Sequence, residues 1–359
     1  MTKKLFINGF GRIGRVVLRE LYKRRSLGSS GMVLEAEDSE SGMDTQSDER
    51  DDMSPDIEVV GINDIVPADM SAYLLKYDTA YRPWIFDVEA KERSLIIGNK
   101  EIPYYMEKDP TKIPQARLET DIVIESSGVF RKKDDAMKHI KAGARRVLVS
   151  APMDDPDVTI VHGVNDAMLK PEHLIVSNAS CTTNCLAPVV KVLHEKLKIE
   201  CGLMTTVHAM TNDQRLLDQA HKEFTRARAA PFNIVPTTTG AAKAIGEVIP
   251  DLKGKFNGVS IRVPMVTGSL VDFTAIVKEK TTKNVINVMM DDAAEGPLKG
   301  IMSVCYDEIC SSDIIGNPCS AIFDPHYTDT KGQLVKVLAW YDNEAGYSNR
   351  CIDVIDKLL

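Results

Sequence analysis

The stretch KLFINGFGRIG, Lys4–Gly14, decides the fold. Lys4 to Ile7 reads as a short strand, and Gly9, Gly11 and Gly14 follow it as G-x-G-x-x-G at the mouth of a helix. Glycines at such a junction let a ligand meet the backbone with no Cβ in the way, and the first N–H groups of the helix point at a pyrophosphate. Three spaced glycines alone are a weak signal; their place between strand and helix makes them half of a dinucleotide-binding fingerprint. The other half is an acid that ends the next strand, about 20 residues on. Asp64 closes the strand-like run IEVVGIND but stands 50 residues past Gly14. Between them lies Gly28–Asp56, 29 residues with ten acids and one base; set aside, it leaves Asp64 21 residues past Gly14. A carboxylate there accepts hydrogen bonds from an adenosine ribose and repels a 2′-phosphate. The acidic segment, rich in Ser, Gly, Asp and Glu, reads as a disordered or solvated surface insertion. It enters before the strand, at the sheet end opposite the ligand, and is expected to leave the chemistry alone.

Working outward, the N-terminal half alternates β-rich runs (IEVVGIND, DIVIESSG, RRVLVSAP) with helix-like stretches (RIGRVVLRELYKRR, AMKHIKAGA). That alternation predicts an α/β fold with a Rossmann-type, doubly wound parallel sheet. Beyond Cys181 the runs lengthen, as in VSIRVPMVTGSLVDFTAIV, Val259–Val277. They predict an α+β catalytic domain with a mixed or antiparallel sheet. The boundary falls near Ser180, with residues 1–179 before it.

At 359 residues the chain fits two domains. No apolar run reaches the roughly 18 residues of a membrane span, and MTKKLFINGF runs into strand-like sequence without a signal peptide. A cytoplasmic protein without a membrane partner is expected. Seven cysteines with no C-x-x-C pair argue against a disulfide framework and against a zinc site, so no metal is expected. The net charge of −8 is local: the acidic segment carries −9, and the rest is near neutral with no basic stripe for nucleic acid.

In SNASCTTNCLAP, Ser177–Pro188, one cysteine stands among hydroxyl and amide side chains ahead of an apolar, helix-like run. A helix starting at Cys181 sets the thiol on the positive end of the macrodipole, which lowers a thiol pKa. Ser180, Thr182 and Thr183, with nearby backbone N–H groups, are equipment for a developing oxyanion. Cys185, one turn on, reads as a small buried residue. A base is offered by His208 in TTVHAMTNDQ, with Thr211 after it. A thiolate adds to an aldehyde, and the hemithioacetal can expel hydride to a nicotinamide while the imidazole takes the hydroxyl proton. If phosphate then releases the thioester, two anion pockets are needed. Arg226 in TRARAAP, Thr239 and Gly240 in PTTTGAAKAIG, and Arg262 in SIRVP are the candidates.

Taken together, INGFGRIGR, IND, ESSGVF, SNASCTTNCLAP, TTVHAMTNDQ, PTTTGAAKAIG, RVPMVTGSLVD and WYDNEAGYSNR resemble, in order and along nearly the whole chain, the phosphorylating glyceraldehyde-3-phosphate dehydrogenases. The resemblance implies a glycolytic oxidation of glyceraldehyde 3-phosphate with NAD and inorganic phosphate. In it Cys181 is the nucleophile and His208 activates the thiol, then acts as acid and base. It implies that Ser180, Thr182, Thr211, Arg226, Thr239, Gly240 and Arg262 hold the substrate phosphate and the attacking phosphate. Gly9, Gly11, Gly14, Arg12 and Ile13 lie along the pyrophosphate, Asp64 on the adenosine ribose, Lys108 and Ser126 beside the cofactor, and Asn343 on the nicotinamide carboxamide. Residues 342–359 thereby return to the nucleotide domain, leaving 180–341 as the catalytic domain. The family is a homotetramer, with the segment around Ala209–Pro231 near a neighbour's cofactor.

The sequence departs from that pattern in several places. Gln219 and Ala220 replace a common Leu-Pro, which removes bulk near the ribose 2′ position and leaves NADP use open. Thr225 stands where many relatives have arginine, and Thr79–Arg82 lacks the usual histidine and glycine. Erythrose-4-phosphate dehydrogenase, which prefers water as acyl acceptor, is the sister activity such motifs leave open. A non-catalytic protein of the same fold is opposed by the retention of Cys181, His208 and the anion candidates.

Overall fold

The computed structural model describes residues 2–29 and 57–358. The acidic insertion therefore lies, from residue 30 to residue 56, outside the described residues. Its flanks are described. The first helix, α1 (Arg12–Ser29), runs two residues into the segment that the sequence assigns to the insertion. Ile57, which follows it, pairs with Lys3 at the start of the first strand.

The N-terminal sheet has nine strands: β1 (Lys3–Asn8), β2 (Ile57–Asn63), β3 (Val88–Lys91), β4 (Ser94–Ile97), β5 (Lys100–Tyr105), β6 (Ile122–Glu125), β7 (Arg146–Val149), β8 (Val158–Thr159) and β9 (Ile175–Ser177). Their order is β3-β4-β5-β2-β1-β6-β7-β9-β8, parallel apart from the antiparallel β3-β4-β5 edge. Helices α2 (Ala68–Lys76) and α3 (Lys133–Lys141) complete the alternation. Side chains alternate across a strand, and β1 uses both faces. Leu5 and Ile7 pack with Val17 and Leu18 of α1 on one face, while Phe6 packs with Ala136 of α3 on the other. The chain leaves β1 toward β2 on one side and has β6 on the other, so a crevice opens at the carboxyl ends of β1 and β6.

After helix α4 (Cys181–Leu197) comes a seven-stranded sheet of β10 (Ile199–His208), β11 (Val235–Thr238), β12 (Phe256–Arg262), β13 (Ser269–Val277), β14 (Met302–Val304), β15 (Ala321–Lys331) and β16 (Leu334–Tyr341). Its order is β11-β12-β10-β13-β16-β15-β14, mixed because β10 runs parallel to β12 and β14 to β15. One face is covered by α4, α5 (Ala241–Val248) and α6 (Lys283–Glu295), burying Val190, Ile245 and Met290 against Phe273, Val337 and Tyr341. The long run Val259–Val277 is not one strand. It breaks between Arg262 and Ser269 around Pro264 and Gly268, whose φ of +90° brings its Cα against the Ser311 carbonyl, 2.5 Å from where a Cβ would stand. Helix α7 (Ala345–Lys357) returns to pack on α1, with Ile352 and Ile355 in the same core as Leu5.

Candidate active site

Two cavities border the loop Gly9–Gly14. The first, a groove of about 490 Å³, is lined by Gly9, Gly11, Asp64, Lys108, Ser126 and Phe130 among others. Gly9 has φ +89°, and a Cβ there would lie 2.3 Å from the Ser127 nitrogen; a Cβ on Gly14 would lie 2.3 Å from the Gly9 carbonyl oxygen. Both glycines are thus demanded by the protein's own backbone. A Cβ on Gly11 would meet nothing within 4 Å, so the close approach open at that position is a ligand's. Asp64 directly follows β2, with Oδ2 accepting from the Phe10 N–H (2.6 Å) and Oδ1 from the Val66 N–H (3.0 Å). Ser126 donates its hydroxyl to the Gly9 carbonyl (2.7 Å), so it shapes the loop.

Beneath the groove runs a buried polar ladder that sequence reasoning missed. Asn63 Nδ2 donates to Asn8 Oδ1 (2.8 Å), Asn8 Nδ2 donates to Glu125, and Glu125 meets His139 Nε2 at 3.0 Å and the Ser127 N–H at 2.8 Å. It ties the carboxyl ends of β2, β1 and β6 to α3. Its signal in the sequence was a polar residue at each strand end, in NGFG, IND and IESSG.

The second cavity, a cleft of about 610 Å³, is lined by Arg12, Ile13, Ser180, Cys181, His208, Thr211, Arg262 and Asn343 among others. Cys181 is the first residue of α4. Ala179, with φ +52°, turns the chain, and Ser180 caps the helix by accepting from the Thr183 N–H at 3.1 Å. Across the cleft His208 ends β10 on the face that also buries Met204 and Thr206. Cys181 Sγ lies 3.4 Å from His208 Nε2. His208 Nδ1 meets the Ala209 carbonyl at 2.8 Å, which assigns the ring proton to Nδ1 and leaves Nε2 bare toward the thiol. Arg262 Nη1 reaches the same carbonyl at 3.2 Å and also stands against Nδ1. With a proton on Nδ1 that second contact is donor to donor, so the carbonyl is what the guanidinium holds. Its Nε has no partner among the described residues.

The electrostatics correct one expectation. Burial pushes the Cys181 thiol above its usual range, and the nearby Arg262 charge and the Thr182 hydroxyl and N–H only partly offset this. The helix terminus does not outweigh loss of water. Burial, with the Arg262 charge, pushes His208 down to about 3. The resting pair is therefore a neutral thiol facing a neutral imidazole.

Tyr341, which sequence reasoning also passed over, lies under this pair. Its hydroxyl bonds the hydroxyls of Thr182 (2.8 Å) and Thr206 (2.9 Å), and its ring stands edge-on to His208 with centroids 6.0 Å apart. Thr182 is buried in this junction. Arg226, Thr239 and Gly240 also stand apart from the cleft lining. Arg226 is held by Asp213, Glu223 (3.2 Å), Thr237 Oγ1 (2.8 Å) and the Thr238 carbonyl (3.3 Å), while Thr239 Oγ1 accepts from the Ala241 N–H at 3.2 Å and Gly240 caps α5. Pairing of β11 with β12 links this group to Arg262. The Arg12 guanidinium is taken by Asp78 and Glu344, which leaves its backbone for a ligand. Asn343 Oδ1 accepts from Ser269 Oγ at 2.9 Å.

Two family descriptions match this sequence: "Glyceraldehyde 3-phosphate dehydrogenase, NAD binding domain" over residues 49–133 and "Glyceraldehyde 3-phosphate dehydrogenase, C-terminal domain" over residues 180–343. Curated relatives include glyceraldehyde-3-phosphate dehydrogenase of Thermotoga maritima, 49% identical over 357 residues and 99% of each chain. Glyceraldehyde-3-phosphate dehydrogenase 2 of Streptomyces avermitilis is 47% identical over 99% of this chain and 98% of its own. The Geobacillus stearothermophilus protein of the first name is 44% identical over 99% and 97%.

Proposed function

The chain belongs to the glyceraldehyde-3-phosphate dehydrogenase family, whose members are NAD-dependent oxidoreductases, and from that premise we propose that Cys181 and His208 oxidise glyceraldehyde 3-phosphate to 1,3-bisphosphoglycerate. The observation that carries this reading is the 3.4 Å contact between Cys181 Sγ and a bare His208 Nε2 in a cleft that shares the glycine loop with the groove.

The thiol proton passes to Nε2 as Sγ bonds the aldehyde carbon, and the resulting oxyanion faces the first N–H groups of α4. A bound nicotinamide would supply the acceptor for the hydride that this carbon releases. His208 returns that proton to the oxyanion, takes it back from the resulting hydroxyl as the hydride leaves, and a thioester remains on Cys181. Inorganic phosphate attacks the acyl carbon, and the Cys181 sulfur leaves. Arg262, Thr211 and Ser180 receive one phosphate. Arg226, Thr182, Thr239 and Gly240 complete the anion sites. The fit of the groove to a dinucleotide rests on the open side of Gly11 and on Asp64 directly after β2. Gly9, Gly14, Arg12 and Ile13 take the pyrophosphate through backbone, Asp64 the adenosine ribose, and Lys108 and Ser126 flank it. Asn343, its oxygen engaged, keeps Nδ2 for the carboxamide.

In this reading residues 1–179 with 342–359 form the nucleotide-binding domain and 180–341 the catalytic domain. A homotetramer is supported by the exposed apolar side chains Leu216, Leu217, Phe224 and Phe232 in and beside the segment around Ala209–Pro231. A cytoplasmic location is supported by seven free cysteines; no helix among the described residues is long and apolar enough to cross a membrane. The test is NADH production with glyceraldehyde 3-phosphate, with and without added phosphate. Phosphate-dependent turnover is expected. Turnover indifferent to phosphate would instead indicate water as the acyl acceptor.

A further inference from the structure

The departure at Thr79–Arg82 has a structural counterpart at the cleft. Asp342 follows β16 and is 1% exposed, so its carboxylate must be met by donors. Five are present. Thr267 Oγ1 (3.0 Å) and the N–H groups of Gly316 (2.8 Å), Glu344 (2.9 Å) and Ala345 (3.0 Å) come from the second sheet's connections and from the turn into α7. The fifth is the Tyr81 hydroxyl (2.9 Å), which comes from the opposite wall, in the loop after α2.

That loop is ordered around Asp78, whose Oδ1 accepts from the N–H groups of Ala80 (2.9 Å) and Tyr81 (3.1 Å). Arg82 closes it at φ +65°, a strained conformation for an arginine, with its carbonyl accepting from Arg19 Nη1 at 3.2 Å. The Arg12 guanidinium lies over the Tyr81 ring, 5.7 Å from its centroid, and pairs with both Asp78 and Glu344. Thr79, Arg12, Asn343 and Glu344 all line the cleft. One phenol therefore joins the wall that begins α1 to the turn that presents Asn343.

We propose that Tyr81 is a positioning residue for the nicotinamide end of the cofactor: its hydroxyl fastens the 78–82 loop to Asp342 and thereby fixes where Asn343 meets the carboxamide. This rests on the assignment of NAD to the groove and cleft. Tyr81→Phe keeps the ring under Arg12 and removes only the donor, leaving four donors on Asp342. Dissociation constants for NAD and for ADP-ribose, which lacks nicotinamide, are measured by isothermal titration on the wild-type and variant proteins. The NAD constant is expected to rise about three- to tenfold, the range of one lost hydrogen bond, while ADP-ribose stays within about twofold. KM for NAD rises in parallel, and KM for the aldehyde and the pH profile of Cys181 alkylation stay put. Unchanged NAD affinity overturns the proposal. So does equal weakening of both ligands, which a merely structural role produces. A wild-type protein that binds ADP-ribose no better than buffer overturns the cofactor assignment itself.

Discussion

The groove and the cleft share a loop but are built on different principles. The groove is made of backbone: two glycines that its own chain requires, a third that faces open space, and an aspartate whose carboxylate is half engaged by main-chain N–H groups. The cleft is made of side chains brought from distant segments. Its thiol and imidazole are 27 residues apart, and the arginine beside them lies 54 further on. Backbone sites tolerate change in side chains but not in Cβ positions, whereas a side-chain site fails one group at a time.

Substitutions that strike one cavity and spare the other sharpen this contrast. Cys181→Ser should abolish turnover by about 10⁴-fold or more, because a serine hydroxyl stays protonated, yet leave NAD binding intact. A Cys181→Ser variant that kept its turnover would refute covalent catalysis. His208→Asn should lower kcat by about 10²–10⁴-fold. It should also change acid stability. His208 falls from 6.5 to about 3 on folding, so between those values the unfolded chain binds more protons and stability drops as pH falls. That group contributes a slope of about 1.4 kcal/mol per pH unit, which chemical denaturation should find missing in the Asn variant. Gly14→Ala drives a Cβ into the Gly9 carbonyl. It should weaken NAD by about tenfold or more through a strain of about 1–3 kcal/mol, with iodoacetamide still labelling Cys181 at its ordinary rate. Arg262→Gln removes the charge that pulls the thiol down and the imidazole down. The alkylation profile of the unliganded enzyme should then move to higher pH; a move to lower pH contradicts the assigned electrostatics. The smallest effect belongs to deletion of Gly31–Met53. Since Ile57, which follows the segment, pairs with Lys3 at the far end of β1 from Gly9, rate constants should stay within about twofold; a tenfold loss would place the segment at the chemistry.

The groove was the more legible cavity because its determinants are local. Strand, glycine spacing and helix are contiguous, and Asp64 stands at the fingerprint's spacing once the acidic segment is set aside. The cleft was legible only in part. Cys181 at the start of a helix and His208 at the end of a strand are local facts, but that they meet is tertiary. Tyr341 joins Thr182 from 159 residues away, and nothing in WYDNEAG distinguishes a phenol that packs from one that organises hydroxyls. Glu125 and His139 were hidden for the same reason: each reads as an ordinary polar residue until the sheet sets them face to face. The direction of the thiol pKa is not legible in sequence, because helix position is visible there and desolvation is not.

The central claim is tested most directly by mixing enzyme, NAD and glyceraldehyde 3-phosphate without phosphate, quenching in acid, and mapping the acyl group by peptide mass spectrometry. An adduct on the Cys181 peptide, formed with one NADH per labelled site, is the predicted result. NADH formed with no acyl group on Cys181 would contradict the account.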